Sequence, residues 1–286
     1  VLCCTCIGVG HRLLDGRKFT RVLLDEATQA TEPASLVPLV RGARQIVLVG
    51  DHRQLPPTVI SQRAENDGLR RSLFERMVAM GIEPMLLDTQ YRMHPAISEF
   101  PNQTFYNGLL VDGIDAADRP NPAGLLWNNW EVPIAFLPVN GDEVLSPDGA
   151  SKENPSEAGW VARILESLLE AGDLQQDDIG IITPYAGQVR AIRDAIPERN
   201  DAVEVHTVDG YQGREKDVII FSCVRSNADG NVGFLSDSRR LNVALTRARR
   251  GLIVIGDPGT LRCDEDWAAW LEHVRSRKLE AWHLLG

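Results

Sequence analysis

Nowhere does the 286-residue sequence stay apolar for the roughly 18 residues that a membrane-spanning helix needs. No basic, apolar, small-residue leader opens it; the chain begins abruptly inside the run VLCCTCIGVG. Internal repeats at solenoid periods and low-complexity segments are also missing. Cysteine is sparse: Cys3, Cys4, Cys6, Cys223 and Cys263 form neither the even set of a small disulfide scaffold nor the paired CxxC and His spacing of a zinc site. Reduced, mostly buried thiols in a cytoplasmic protein, with the nucleus as a second location, are expected. Basic residues are outnumbered, 30 Lys and Arg against 40 Asp and Glu, a net charge of -10. That balance excludes a coat binding nucleic acid through general positive charge. It leaves room for a protein gripping a strand in a narrow groove with backbone amides and a few arginines.

What is present is ordinary globular composition, 43% hydrophobic and 24% charged, in a length suited to one large domain or two compact ones. Short runs rich in Val and Ile recur: RVLLDE, QIVLVGD, DIGIITPY, VEVHTVDG, KDVIIFSCV and GLIVIGD. Such runs suit strands buried on both faces of a parallel sheet. Helical stretches alternate with them, ATEPASLVPLV serving as one crossover, so the expected fold is α/β. Polar, Gly- and Pro-bearing residues follow most of the runs, which predicts that the chemistry gathers at the carboxyl ends of the strands. Residues 107–155 are less regular; within them WNNWEVPIAFLPV reads as an edge strand with hydrophobic cover. Trp127 and Trp130 there suit packing better than base stacking, because no basic residues interleave. SEAGWVARILESLLEAG reads as a surface helix with Trp160, Val161, Ile164, Leu168 and Leu169 on its apolar face, ended by Gly172.

Two loops carry the sharpest chemistry. Asp25 and Glu26 directly follow a strand, where one carboxylate can hold Mg²⁺ and the other can activate water. Salt-bridged surface acids are the plainer alternative. Gly50-Asp51-His52-Arg53-Gln54-Leu55-Pro56-Pro57 follows the next strand; Gln54 could orient water or sense a terminal phosphate, or be part of a polar loop stiffened by prolines.

DEATQATEP, GDHRQLPP, QYRMHPAISEFP, GIITPYAGQ, VDGYQGREKDVIIFSCVR and RRLNVALTRARRGLIVIGD stand in the order found in superfamily-one helicases of the Upf-like group. The chain resembles that family over nearly its whole length, nearest the branch that acts in nonsense-mediated mRNA decay. The resemblance implies two RecA-like P-loop NTPase lobes: residues 1–89 as the back part of the first, and residues 90–286 as the second. It implies ATP and Mg²⁺ as cofactors, with Asp25 on the metal, Glu26 activating water and Gln54 coupling the terminal phosphate to nucleic acid. Tyr91 corresponds to a base-contacting aromatic and Arg92 to a phosphate-contacting arginine. Gly213 and Glu215 correspond to a loop touching phosphate and ribose, and Arg247 to a second arginine finger. Thr5, Thr183, Pro184, Thr207 and Arg225 would line the groove for single-stranded RNA, with DNA as the alternative strand. Decay or ribonucleoprotein factors are the implied protein partners of a monomeric motor without a membrane role.

The guanidinium fork supports the arginine assignments on physical grounds, since it gives phosphate two charge-assisted hydrogen bonds that lysine cannot copy. Arg247 is expected on a helix with Leu241, Ala244, Leu245 and Ala248 packed inward and the arginine pointing out. Purely structural roles for Arg92 and Arg247, and capping roles for the threonines, remain the plain alternatives. The sequence departs from the family in one respect: no GxxxxGK[ST] phosphate loop occurs. The chain therefore reads as starting downstream of that loop, with an exposed sheet edge where the missing strands belonged. The competing functions are a DNA helicase of the same group and a non-hydrolysing nucleic-acid-binding remnant.

Overall fold

A computed structural model describes residues 1–282 of the chain. Its contacts divide it between Leu87 and Asp88 into two compact units, where the sequence placed the division after residue 89.

The first unit pairs β1 (Arg21–Leu24) in parallel with β2 (Gln45–Leu48), joined by α1 (Glu32–Leu39). Two short helices follow, α2 (Gln62–Asn66) and α3 (Leu73–Ala79). A capping box starts α3: Ser72 Oγ accepts from the Glu75 amide, and the Glu75 carboxylate accepts from the Ser72 amide. The expectation that these strands are buried on both faces fails here. Leu23, Ile46 and Val47 are 65%, 46% and 53% exposed, because a sheet of only two strands has too few neighbours to cover them.

The second unit opens with β3 (Thr89–Gln90), α4 (Pro95–Phe105) and β4 (Val111–Asp112), then β5 (Ile134–Pro138) and the small pair β6 (Val144–Leu145) and β7 (Lys152–Glu153). Next come α5 (Pro155–Glu170), β8 (Ile179–Thr183), α6 (Ala186–Ala195), β9 (Glu204–Thr207) and β10 (Lys216–Ser222). The remaining elements are α7 (Ser238–Leu245), β11 (Ala248–Gly256), α8 (Pro258–Leu261) and α9 (Glu265–Ser276). Five strands form one parallel sheet in the order β5-β11-β10-β8-β9. Strand β5 lies at an edge of the sheet yet is buried along its whole length.

Alternation along the strands sends side chains to two separate cores. Ile181, Ile220, Ile253 and Ile255 meet Val161, Leu165 and Leu168 of α5 and Ile192 of α6 on one face. The other face is aromatic: Phe136 meets Trp270 edge-on at 5.3 Å, and Phe221 stacks on Trp267 at 6.0 Å. Each such buried side chain contributes about 1.5–3 kcal/mol relative to exposure. Trp127 is buried, donating from Nε1 to the Pro122 carbonyl at 2.8 Å, whereas Trp130 is 68% exposed. Helix α5 begins after the Asn154 cap and ends at Glu170, two residues before Gly172, whose φ of 75° is left-handed.

Candidate functional site

In the first unit, β1 and β2 bring two acidic loops to the same edge. The Val49 amide donates to the Leu24 carbonyl at 2.8 Å and the Ala27 amide to the Val49 carbonyl at 2.7 Å, so pairing continues past the strand ends. Gly50 leaves little room for a side chain: a Cβ there would sit 3.0 Å from both the amide and the hydroxyl of buried Thr28. Asp25 and Glu26 are exposed on this edge. Glu26 has a φ of 51°, left-handed and unusual for a side chain of its size. The Glu26 amide donates to Asp25 Oδ1 at 3.0 Å, and Gln29 Nε2 donates to Glu26 Oε2 at 2.7 Å, which fixes both carboxylates. Strain of this kind, on the order of 1–3 kcal/mol, persists where surrounding contacts hold it. On the neighbouring loop, Gln54 Nε2 donates to Asp51 Oδ2 at 2.9 Å, and the Arg53 amide donates to Asp51 Oδ1 at 2.9 Å. Thr5, assigned to the nucleic-acid groove, caps a local turn by accepting from the Gly8 amide at 3.0 Å.

In the second unit the sequence-derived residues fall on two opposite edges of the sheet, not on one. Thr183 and Thr207 end β8 and β9, and Pro184 and Arg225 follow β8 and β10, so all four lie at the carboxyl ends, as expected. Gly213 and Glu215 instead precede β10, and Arg247 precedes β11, at the amino ends. The physical reason is the connection between β9 and β10. It runs from residue 208 to residue 215 with one 3-10 turn and no α-helix, and must cross β8 to reach β10. Tyr211 lies buried against β8, where a Cβ on Gly180 would stand 1.9 Å from its hydroxyl oxygen.

The amino edge holds a connected set of charges. Arg92 Nε pairs with Glu215 Oε2, and Arg92 Nη1 donates to the Thr246 carbonyl at 3.0 Å. Arg249 donates to Glu215 Oε1 from Nε at 3.0 Å and Nη2 at 2.6 Å. Burial works against the Glu215 carboxylate, but the Arg249 hydrogen bonds and the Arg92 charge outweigh it and hold its pKa below the ordinary value. Gln90 shapes the preceding turn, its Oε1 accepting from the amides of Arg92 and Met93. Arg119 braces the same segment by donating to the carbonyls of Tyr91 and Arg92. Tyr91 is 64% exposed, and its ring lies where a Cβ on Gly113 would be, 2.3 Å away. Gly213 is exposed with a left-handed φ of 77°. Arg249 and Arg119 were not singled out in the sequence; the LTRARR string contains the first, but its partner lies 34 residues away.

Arg247 departs from expectation. Helix α7 ends at Leu245, so Arg247 lies beyond it and Ala248 begins β11. The side chain is buried, donating from Nε to the Val243 carbonyl at 3.0 Å and from Nη2 to Thr246 Oγ1 at 2.9 Å. A cation satisfying the last carbonyls of a helix gains from their unpaired acceptors and from the helix dipole, which draws the guanidinium back instead of outward.

At the carboxyl edge Arg225 is also buried. Its Nε donates to Glu143 Oε2 at 2.7 Å and its Nη1 to the Tyr185 hydroxyl at 3.2 Å. Burial opposes ionised Glu143, yet hydrogen bonds from Arg225, Lys152 and Asn227 lower its pKa to about 2. Thr183 is fully buried and its hydroxyl has no hydrogen-bond partner among the described residues. Thr207 accepts from the Gly210 amide at 3.2 Å. Behind this edge Glu157 is wholly buried, accepting from Ser222 Oγ at 2.6 Å and the Val224 amide at 2.9 Å. Desolvation dominates there and raises its pKa to about 8.

Parallel sheets joined by helices, two strands in the first unit and five in the second, define an α/β protein. The chain belongs to the AAA domain family, whose members match residues 69–259 and, in a second match, residues 1–62. Among curated relatives, "Regulator of nonsense transcripts 1 homolog" of Drosophila melanogaster is 45% identical over 286 residues, 98% of this chain and 24% of that protein. The protein of the same name in Neurospora crassa is 46% identical over 97% of this chain and 26% of its own length. "ATP-dependent helicase NAM7" of Saccharomyces cerevisiae is 44% identical over 97% of this chain and 29% of its own. The chain thus spans about a quarter of the length of the curated relatives it matches.

Proposed function

We propose that this chain is part of an ATP-dependent RNA helicase motor, acting in nonsense-mediated mRNA decay by nucleic-acid-stimulated ATP hydrolysis and movement along a single strand. The observation that carries this reading is the Asp25–Glu26 pair, held by an amide, by Gln29 and by a left-handed backbone at the end of a parallel strand. The names of relatives, an ATP-dependent helicase and regulators of nonsense transcripts, support this choice of substrate and process.

The donor set fits Mg²⁺. Asp25 Oδ1 accepts the Glu26 amide, while the carboxylate is exposed to water. Mg²⁺ keeps several waters and takes one or two carboxylates along with substrate phosphates. Among the described residues no group of three or more His, Cys, Asp or Glu could form a closed cage, as that mode of binding requires none. Asp25 would hold the ion, which would neutralise phosphate charge. Glu26 Oε1 would take the proton of the attacking water, its Oε2 being held by Gln29. Gln54, oriented by Asp51, would report on the terminal phosphate. Arg92, fixed by Glu215 and Thr246, would stabilise charge on the transferred phosphoryl group.

Strand contact is proposed at the carboxyl edge of the second unit through the half-buried Pro184 and Thr207, whereas Thr183 is fully buried and offers a strand no contact in this conformation. Their hydroxyl and backbone chemistry suits sugar and phosphate without reading bases. Arg225, being buried, would serve this surface from behind, and Arg247 is buried at the opposite, amino edge in this conformation.

The test is ATP hydrolysis by the full-length protein with and without single-stranded RNA. RNA-stimulated turnover supports the reading, and turnover answering only to DNA would favour a DNA helicase. No turnover with either strand would favour a binding remnant.

A further inference from the structure

We propose that Arg249 is a positioning residue for Arg92, acting through Glu215, and that it keeps one edge of the Arg92 guanidinium open for a phosphate oxygen. The proposal deepens the functional reading above and rests on Arg92 being a phosphate ligand.

The geometry is asymmetric in a telling way. Arginine and a carboxylate favour a fork, with two parallel hydrogen bonds onto two oxygens. Arg92 and Glu215 do not form it: only Nε of Arg92 engages Glu215, and only at Oε2. The other oxygen is taken by Arg249, which places both Nε and Nη2 on Oε1. Arg92 Nη1 is spent on the Thr246 carbonyl. Nη2 of Arg92 has no hydrogen bond to a described residue, on a side chain 31% exposed. Arg249 therefore occupies the oxygen that would otherwise rotate round and close the free edge of Arg92.

The backbone is arranged for this. Strands β10 and β11 pair from Lys216 with Ala248, then resume at Val218 with Gly251, so Arg249 and Arg250 together oppose Asp217 alone. In a regular strand these neighbouring arginines would point to opposite faces. The bulge re-aims them: Arg249 Nη1 lies 3.7 Å from Asp217 Oδ1 and Arg250 Nη1 lies 3.4 Å from Asp217 Oδ2. Asp217 thus anchors the far end of Arg249 while its near end serves Glu215.

Turnover of ATP by the full-length protein, measured with saturating RNA, tests the proposal through four variants. Arg249→Ala should lower kcat by roughly tenfold to a hundredfold and raise KM for ATP, as Glu215 swings onto Arg92. Arg249→Lys, whose ammonium can still donate to Oε1 but cannot also reach Asp217, should lose less turnover than Arg249→Ala. The double variant Arg249→Ala with Glu215→Ala should recover part of the lost turnover, because the competing carboxylate is gone; a merely structural loss would deepen. Full turnover in Arg249→Ala, or a double variant no better than the single one, overturns the positioning role. Arg92→Ala separates the two levels: if it turns over like the parent, the reading of Arg92 falls and takes the proposal with it.

Discussion

Glu26 illustrates what one residue can and cannot announce. Its acid identity after an apolar run was legible, and so was the neighbouring Gln29. The left-handed backbone was not, because nothing in a Glu codes for φ of 51°; the constraint comes from the Ala27–Val49 pairing beyond the strand end. Holding the carboxylate in one place by Gln29 predicts a steep cost for losing it. Glu26→Gln in the full-length protein should lower kcat by about a hundredfold or more with ATP binding retained, measured by steady-state hydrolysis beside equilibrium binding of a nucleotide analogue. Arg225 and Arg247 were legible as residue types but not as buried side chains. Arg225 pairs with Glu143, 82 residues away, and Arg92 with Glu215, 123 residues away. Separations of that size leave no local pattern, so burial and ion pairing had to come from the fold.

At the scale of elements, the strands of the second unit follow their Val and Ile content closely, and α5 shows the apolar face its spacing implied. The misjudged element was the connection from β9 to β10. Read as polar residues following a strand, VDGYQG was assigned to the carboxyl edge, whereas it ends at the amino edge after crossing β8. A chain crossing so close to a strand needs a position without a side chain, and Gly180 provides it beneath Tyr211. Gly180→Ala should therefore destabilise the protein by about 1–3 kcal/mol through overpacking, read as a fall in thermal midpoint. Adding Tyr211→Phe should return part of that loss, since the atom 1.9 Å from the new Cβ is the hydroxyl oxygen. No recovery would mean the crossover is not what Gly180 accommodates. In the first unit, the two-strand sheet leaves Val47 53% exposed. Val47→Lys should leave its thermal midpoint nearly unchanged and reduce self-association in light scattering.

For the molecule as a whole, two buried carboxylates give stability opposite pH dependences. Glu143 is held at about 2 against an ordinary 4.5, so its native form binds fewer protons than the unfolded chain between those values. Its stabilisation is complete above pH 4.5 and is lost as pH falls toward 2. Glu157 is raised from 4.5 to about 8, so the native form keeps a proton that the unfolded chain releases. Its contribution is full below pH 4.5 and declines as pH rises to 8. Glu157→Gln, uncharged at every pH, should flatten the decline between pH 4.5 and 8 in a series of thermal melts. An unchanged slope would place the titrating group elsewhere.

The central claim, that the acid pair of the first unit serves ATP hydrolysis driven by RNA, is reached most directly by one comparison. The full-length protein and its Glu26→Gln variant are assayed side by side for ATP turnover with and without single-stranded RNA. The account predicts turnover that rises with RNA in the parent and is nearly absent in the variant, although the variant still binds nucleotide. Equal RNA-stimulated turnover in both would contradict it.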